Sequence, residues 1–175
     1  MQELWEKCVA FHGHACPGLA IGFRASEAAH VWLGMVGFSQ DEELVCVTEN
    51  DACGVDAIQV LLGCSFGKGN LIYKDTGKQA FSFFDRKNHK KGRIVFKRPF
   101  GKTIDRAQLQ ELILHAPLEE LFELKEPMFE VPETARLFTS EVCELCKESA
   151  PEHKMRLQGG KKVCLDCFTH YSRGF

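Results

Sequence analysis

The sequence has no excess of charge of either sign and no long run of apolar residues. Twenty-two lysines and arginines stand against 24 aspartates and glutamates, which leaves a formal net charge of -2 at pH 7. A charge so close to zero creates no overall field toward nucleic acid, so we expect no nucleic-acid partner. The most apolar stretch, residues 17–38, is interrupted by Arg24, Glu27 and His30. It is not typical of a transmembrane helix, and we expect no membrane association.

The chain opens without a basic segment followed by an apolar one, so we expect a cytoplasmic protein rather than an exported one. Cysteine, by contrast, is abundant, with nine residues among 175. In a reducing compartment, cysteines serve as metal ligands or reactive thiols more often than as disulfides. The cysteine pattern therefore carries most of the chemical information in this sequence.

Two histidines and a cysteine alternate in the segment His-Gly-His-Ala-Cys-Pro-Gly, which begins at His12. In an extended backbone, the side chains of His12, His14 and Cys16 would point to one face. Pro17 suits the first turn of a helix, which we predict to run to about Gly37. Cys16 would lie at the N-terminus of that helix, where the dipole favours a thiolate. Three such ligands within five positions favour a site over an ordinary helix start.

A second segment places another cysteine where a strand meets a helix. The uncharged run 44–48 predicts a buried strand, and residues 55–62 have apolar positions at helical spacing. Cys53 lies between them, at the predicted N-terminus of the helix, as Cys16 does at its own helix. We therefore expect lowered pKa values for both thiols. Cys64 follows the end of this second helix.

We predict that these side chains form a metal-thiolate centre in the core of the protein. The predicted ligands are His14, Cys16, Cys53 and Cys64. The first three are also the candidate catalytic residues, and either His12 or Cys64 would complete the set. Mixed histidine and cysteine ligation with an open position is typical of catalytic zinc, so we expect a divalent metal, zinc before others. Asp51 and Asp56 are near enough in sequence to accept a hydrogen bond from a ligating histidine. The alternative is that these cysteines are small buried hydrophobic residues, their commonest environment.

The periodicity of the remaining core sequence predicts an α+β fold, with helices packed on a mixed or antiparallel sheet. Further helices are predicted over residues 2–11, 104–115 and 118–124. Further strands are predicted over residues 71–74, 79–84, 93–97 and 128–131. A domain boundary is expected near residues 132–138.

Two Cys-x-x-Cys pairs give the strongest chemical signal in the chain. The pairs are Cys143 with Cys146 and Cys164 with Cys167, and 17 residues separate them. This spacing brings four thiolates into the tetrahedron that structural zinc prefers. Residues 158–161 predict a hairpin turn between the pairs, and residues 165–171 could start a short helix. Because this tail has few apolar residues, the metal must supply its folding energy.

Three long motifs make the chain resemble the E-subunit family of formylmethanofuran dehydrogenase. The motifs cover residues 11–18, 49–59 and 63–71. The resemblance implies a core domain over residues 1–135, usually assembled as a dimer, with a metal-binding cleft formed by the motifs. The tail, residues 136–175, resembles the zinc module that many members carry, and we expect a small zinc-ribbon or treble-clef-like fold there.

Three functional hypotheses are compatible with these features. The first is an enzyme or an oxidoreductase component of one-carbon or redox metabolism, acting on an unidentified small-molecule substrate at the core metal. The second is a binding module that holds a partner through the zinc module. The third is a factor that delivers metal or molybdopterin to a larger dehydrogenase complex. We also expect a homodimer, because the long helix has a face of small residues that another backbone could approach closely. These residues are Gly18, Gly22, Ala25 and Ala29.

Overall fold

The computed structural model describes residues 1–35, 37–99 and 104–173, and the chain divides into two compact units. The first unit, Met1–Thr134, contains helices and a five-stranded sheet. The second unit, Ala135–Phe175, contains two short two-stranded sheets and four clustered cysteines. The predicted α+β core followed by a small zinc module is therefore confirmed. Among the described residues, none of the helices is both long and apolar enough to span a membrane.

The first unit alternates helices and strands along the chain. Its helices are α1 (Gln2–His12), α2 (Pro17–Leu33), α3 (Gly54–Leu62), α4 (Arg106–His115) and α5 (Leu118–Leu121). Its strands are β1 (Leu44–Thr48), β2 (Leu71–Tyr73), β3 (Ala80–Asp85), β4 (Lys90–Phe96) and β5 (Phe122–Lys125). The strand order is β2-β1-β3-β4-β5, in which only the β1–β2 pair is parallel. All five residues of β1 are buried, because the strand has neighbours on both edges.

Helices α2 and α3 cross in close contact. A methyl group added at Gly22 of α2 would lie 1.9 Å from the carbonyl oxygen of Gly54 on α3, so only glycine allows this approach. The predicted close approach of a backbone to this face is confirmed. The approaching backbone belongs to α3 of the same chain, and Ala25 and Ala29 further along α2 are fully buried in the core.

Two predicted elements beyond β4 differ from the structure. The predicted helix over residues 118–124 ends at Leu121, because the next residues pair with β4 and become β5. The predicted strand over residues 128–131 is absent from the described structure, since Pro127 and Pro132 remove backbone donors on both sides of it. Phe129 instead packs on Phe84 of β3, with ring centroids 5.8 Å apart.

The predicted end of α2 was also wrong. The helix ends at Leu33, where Gly34 adopts a left-handed conformation with φ of 58°. This is the usual way for glycine to end a helix, and it stops α2 before the predicted Gly37.

The second unit consists of β6 (Ser140–Val142), β7 (Ser149–Pro151), β8 (Met155–Gln158) and β9 (Lys161–Cys164). Strands β6 and β7 pair with each other, as do β8 and β9. Gly159 and Gly160 both have positive φ, which produces the predicted hairpin turn between β8 and β9. The predicted helix over residues 165–171 does not form: turns follow β9, and the described residues after them have no regular structure.

Candidate metal centre

The turn between α1 and α2 brings a histidine and a cysteine together. His12 is the last residue of α1, and Gly13 follows with a φ of 90° that glycine adopts without strain. Cys16 then caps α2, because its Sγ accepts a hydrogen bond from the backbone N–H of Leu19 at 3.3 Å. The extended backbone expected for His12, His14 and Cys16 is therefore not the cause of their grouping. A helix end and a glycine turn set it.

The donor atoms of His12, His14 and Cys16 all lie within 4.8 Å of one another. Nε2 of His12 is 3.8 Å from Sγ of Cys16, and the two imidazole rings have centroids 4.6 Å apart. Zinc bound at roughly 2.0 Å from nitrogen and 2.3 Å from sulfur would place two tetrahedral ligands about 3.5 Å apart. The observed spacing is close to that value, so this donor set fits a divalent metal with three protein ligands. His12, rather than Cys64, is the residue that joins the group.

Asp56 holds the ring of His12 from its other side. Its Oδ2 lies 2.7 Å from Nδ1 of His12, and its Oδ1 accepts a hydrogen bond from Nε2 of Gln59 at 3.1 Å. In a neutral imidazole, this pattern assigns the proton to Nδ1 and leaves the Nε2 lone pair facing Cys16. A carboxylate in this position orients a ligating histidine and raises its basicity. Asp51, the other predicted acceptor, is exposed and lines the cavity described below.

Cys53 lies on the other side of Gly18 from the metal-ligand group. A methyl group added at Gly18 would be 3.5 Å from Sγ of Cys53 and 3.9 Å from Sγ of Cys16, so the two thiols face the same point. The pKa of Cys53 is raised, first by burial and then by a hydrogen bond with Cys16. The predicted lowering of this pKa is therefore wrong. Cys53 occupies the N-cap position of α3 without making a side-chain cap, and burial outweighs the helix dipole.

Cys64 lies apart from the group, because it follows the opposite end of α3. The nine residues of α3 place its two ends roughly 14 Å apart at 1.5 Å per residue. The side chain of Cys64 is fully buried among core residues, and its Sγ donates to the carbonyl of Leu44 at 3.7 Å. Burial raises its pKa to about 12. These are the properties of a structural core cysteine, so the structure does not support the prediction that Cys64 is a ligand.

A cavity of about 370 Å³ opens beside the metal-ligand group, between the end of β1 and the start of α3. Its lining includes His12, Cys53 and Asp56, together with the aromatic side chains of Phe66 and Tyr73. The volume lies in the range of small-molecule sites. The sequence analysis did not identify the two aromatic residues, because they reach this place only through the parallel pairing of β2 with β1. Their position in and just after the third motif was the only available signal.

A buried ion pair supports the strand end beside this cavity. Nη2 of Arg93 on β4 donates to Oε2 of Glu49 at 2.9 Å, and Oγ1 of Thr76 donates to the same oxygen at 2.9 Å. The side chains of Arg93 and Glu49 are 8% and 4% exposed. The pKa of Glu49 is lowered, first by the hydrogen bond from Arg93, against the opposing effect of burial. Asn50 continues this framework by accepting a hydrogen bond from the backbone N–H of Ala52.

In the second unit, four cysteine sulfurs lie within 4.8 Å of one another. They belong to Cys143, Cys146, Cys164 and Cys167. The sulfurs of Cys146 and Cys164 are 3.8 Å apart, well beyond a disulfide bond of about 2.05 Å. A zinc ion with four thiolates at roughly 2.3 Å requires edges of about 3.8 Å. The sulfur cluster therefore fits structural zinc, as the sequence predicted.

The protonation of these thiols also favours a bound cation. The pKa of Cys143 is lowered to about 6, first by a hydrogen bond from the backbone N–H of Cys164 at 3.3 Å. The pKa of Cys167 is raised to about 12, first by its side-chain hydrogen bond with Cys164 and then by that with Cys146. Crowded thiols that cannot all ionise alone do so around a dication, which neutralises their mutual repulsion.

Comparison with known proteins gives two family matches that divide the chain near residue 135. Residues 11–135 match the FmdE family, described as molybdenum formylmethanofuran dehydrogenase operon. Residues 136–173 match the prokaryotic dksA/traR C4-type zinc finger. The second match is consistent with the four-cysteine cluster described above.

Two individual proteins resemble the chain over most of its length. A "Probable S-adenosyl-L-methionine-binding protein" of Archaeoglobus fulgidus is 31% identical over 192 residues, which cover 92% of this chain and 51% of the relative. The chain thus spans about half the length of this curated relative. The crystal structure of an FmdE-like protein of the tungsten formylmethanofuran dehydrogenase type, from Syntrophus aciditrophicus, has a TM-score of 0.65 and 24% identity. That match covers 95% of this chain and 90% of the other, and it shows a shared fold.

Proposed function

This chain belongs to the FmdE family and ends in a C4-type zinc finger, and on that premise we propose that it is a metal-dependent protein of one-carbon or redox metabolism. Its working centre would be the group formed by His12, His14 and Cys16. The contact that carries the proposal is His12, which bridges the carboxylate of Asp56 and the sulfur of Cys16. A histidine oriented in this way is typical of a metal ligand rather than of a surface residue.

The residues of the centre would divide the work among themselves. His12, His14 and Cys16 would hold a divalent metal, and Asp56 would keep the ring of His12 in the ligating tautomer. A zinc ion with three protein ligands has an open position, at which it polarises a carbonyl or activates a bound water. Cys53 lies beside Cys16 and also lines the cavity, so it could supply a fourth thiolate or a nucleophile to a bound substrate.

The same proposal places the chain in the cytoplasm, where its nine free cysteines would stay reduced. The relative from Archaeoglobus fulgidus makes S-adenosyl-L-methionine one candidate ligand of the cavity. The FmdE family match makes attachment to a larger dehydrogenase complex a candidate context for the centre.

Metal analysis tests the proposal. We expect the double variant Cys16→Ser/Cys53→Ser to bind one divalent metal ion fewer per chain than the parent, while the four-cysteine site keeps its own. Cobalt(II) substitution should give thiolate charge-transfer absorption from both sites in the parent and from the tail alone in the double variant. Cys64→Ala is the matched control, because it removes a core cysteine outside the group and should leave both sites filled. A double variant that retained every metal ion would overturn the proposal.

A second candidate function, binding of a partner protein or delivery of metal or molybdopterin to it, is favoured by the surface of the zinc unit. Large apolar side chains stand exposed there, among them Leu145 and Leu157, the latter 74% exposed. Apolar side chains at the surface of so small a unit suit a protein partner. Co-purification with a dehydrogenase component that is lost in Leu157→Glu would support this function, and its persistence in that variant would count against it.

A further inference from the structure

The cavity beside the metal-ligand group has an unusual charge pattern. Two carboxylates, Asp51 and Asp56, belong to its lining, and the described part of the chain contributes no lysine or arginine to it. The nearest strong cation in the framework, Arg93, is already paired with Glu49 in the interior. A phosphate or carboxylate ligand would therefore find no positive side chain in this lining to receive it.

The negative charge persists when the metal is counted. A dication held by the Cys16 thiolate alone leaves one positive charge at the centre, and a Cys53 thiolate would cancel that charge as well. Against this, Asp51 and Asp56 contribute two negative charges. The pKa of Tyr73 is raised, first by a hydrogen bond with Asp75 and, among further causes, by the charge of Asp51, which shows that the negative field reaches this part of the lining.

Aromatic side chains complete the lining. Phe66 is 69% exposed and Tyr73 is 40% exposed, although both belong to a cavity wall. Exposed aromatic rings beside carboxylates are the combination that recognises organic cations, because the ring faces attract positive charge and the carboxylates neutralise it. An apolar ligand surface would cover the rings from water at the same time.

We propose that this cavity binds a small organic cation with a planar or apolar body, and that it selects against anions. The inference rests on the proposed function in one respect, since it takes the cavity to be the substrate site of the metal centre. The volume of about 370 Å³ suits a ligand of one or two rings. The charge-bearing atom would lie toward Asp51 and the aromatic rings.

A series of three isosteric probes tests the charge preference on the zinc-loaded full chain. The cation 1-methylnicotinamide, the neutral 3-methylbenzamide and the anion 3-carbamoylbenzoate share a six-membered aromatic ring and a carboxamide. We expect calorimetry to show the cation binding at least about tenfold more tightly than the neutral probe, and the anion more weakly than both. Equal affinities, a preference for the anion, or no binding of the cation would overturn the inference.

A variant separates this inference from the proposed function. Asp51→Asn should weaken binding of the cation at least about threefold and leave the neutral probe unaffected, while metal content stays at the parental value. Asp41→Asn, which removes an exposed carboxylate outside the cavity, is the control and should change neither. Unchanged cation binding in Asp51→Asn would overturn the assignment of that carboxylate. If the charge preference holds but Cys16→Ser/Cys53→Ser loses no metal, the metal centre fails and the cation site stands.

Discussion

Nδ1 of His12 lies 2.7 Å from Oδ2 of Asp56, although 44 residues separate them in the chain. One residue ends α1 and the other lies in the first turn of α3, so the bond joins two helices at the metal-ligand group. It leaves the Nε2 atom of His12 directed at Cys16. The contact thus couples the packing of the helices to the orientation of a candidate ligand.

Asp56→Asn should weaken metal binding at the core site about 10- to 100-fold, because the amide no longer holds His12 as a strong acceptor would. Competition with a chromophoric chelator would measure the affinity after the tail site has been saturated. Asp51→Asn is the matched control, since Asp51 lines the cavity without contacting His12, and its metal affinity should equal that of the parent. Equal affinity in Asp56→Asn would contradict the role given to this carboxylate.

Arg93→Met should destabilise the first unit by about 3–5 kcal/mol at pH 7, because it leaves the buried carboxylate of Glu49 without its partner. Urea denaturation would measure the change. Lys91→Met is the control on the same strand: Lys91 pairs with Glu126 at 4.0 Å on an exposed surface, and its loss should cost less than about 1 kcal/mol.

The Glu49–Arg93 pair also predicts a pH dependence. The folded-state pKa of Glu49 is lowered, so its stabilising contribution is present above the pKa of the unfolded chain and is lost as pH falls through the folded value. The difference in stability between the parent and Arg93→Met should therefore be largest near neutral pH and shrink in acid. A difference that stayed constant from pH 7 to well below pH 4 would be inconsistent with this account.

Gly22→Ala should destabilise the core by about 3 kcal/mol or more, because the new methyl group would overlap the Gly54 carbonyl and force α2 and α3 apart. Core metal affinity should fall with it, since this crossing holds the Cys16 and Cys53 ends of the helices together. Thermal unfolding measures the first effect. Gly67→Ala is the control, because a methyl group there would meet nothing within 4 Å. Similar melting temperatures for the two variants would exclude the tight crossing.

Cys143→Ser should release one zinc ion per chain and open the second unit to protease, while the first unit stays folded. Zinc analysis combined with limited proteolysis would follow both changes. His170→Ala, which removes a histidine of the same unit outside the sulfur cluster, should have no effect on zinc content. Full zinc retention in Cys143→Ser would disprove the four-thiolate site.

The expectation of a homodimer stays a prediction, and its basis has changed. The small-residue face of α2 that suggested it is covered by α3 and by the core of the same chain. Family resemblance is the remaining reason to expect a dimer. Sedimentation at micromolar concentration should give twice the chain mass of 19.7 kDa, and a monomer there would rule the prediction out.

The features that the sequence predicted well depend on residues close together in the chain. The two Cys-x-x-Cys pairs predicted the sulfur cluster, because each pair presents its two thiols from one short turn. The alternation from His12 to Cys16 predicted a donor group for the same reason, although the backbone that groups them is a helix end and not an extended segment. Short-range geometry leaves few alternatives for side chains separated by two to four residues.

Tertiary structure decided which distant side chains meet. Cys53 and Cys64 flank the same helix and were equal candidates in the sequence, but α3 is long enough that only one end can reach Cys16. The crossing at Gly22 and Gly54 selected Cys53, and it also aligned Asp56 with His12. In the same way, β5 exists because β4 offered an unpaired edge to residues whose local preference was helical. The sequence by itself thus determined which chemical groups the protein carries and which near neighbours they have. Helix crossing and strand pairing decided which groups share a site, because those long-range contacts depend on packing that no local pattern specifies.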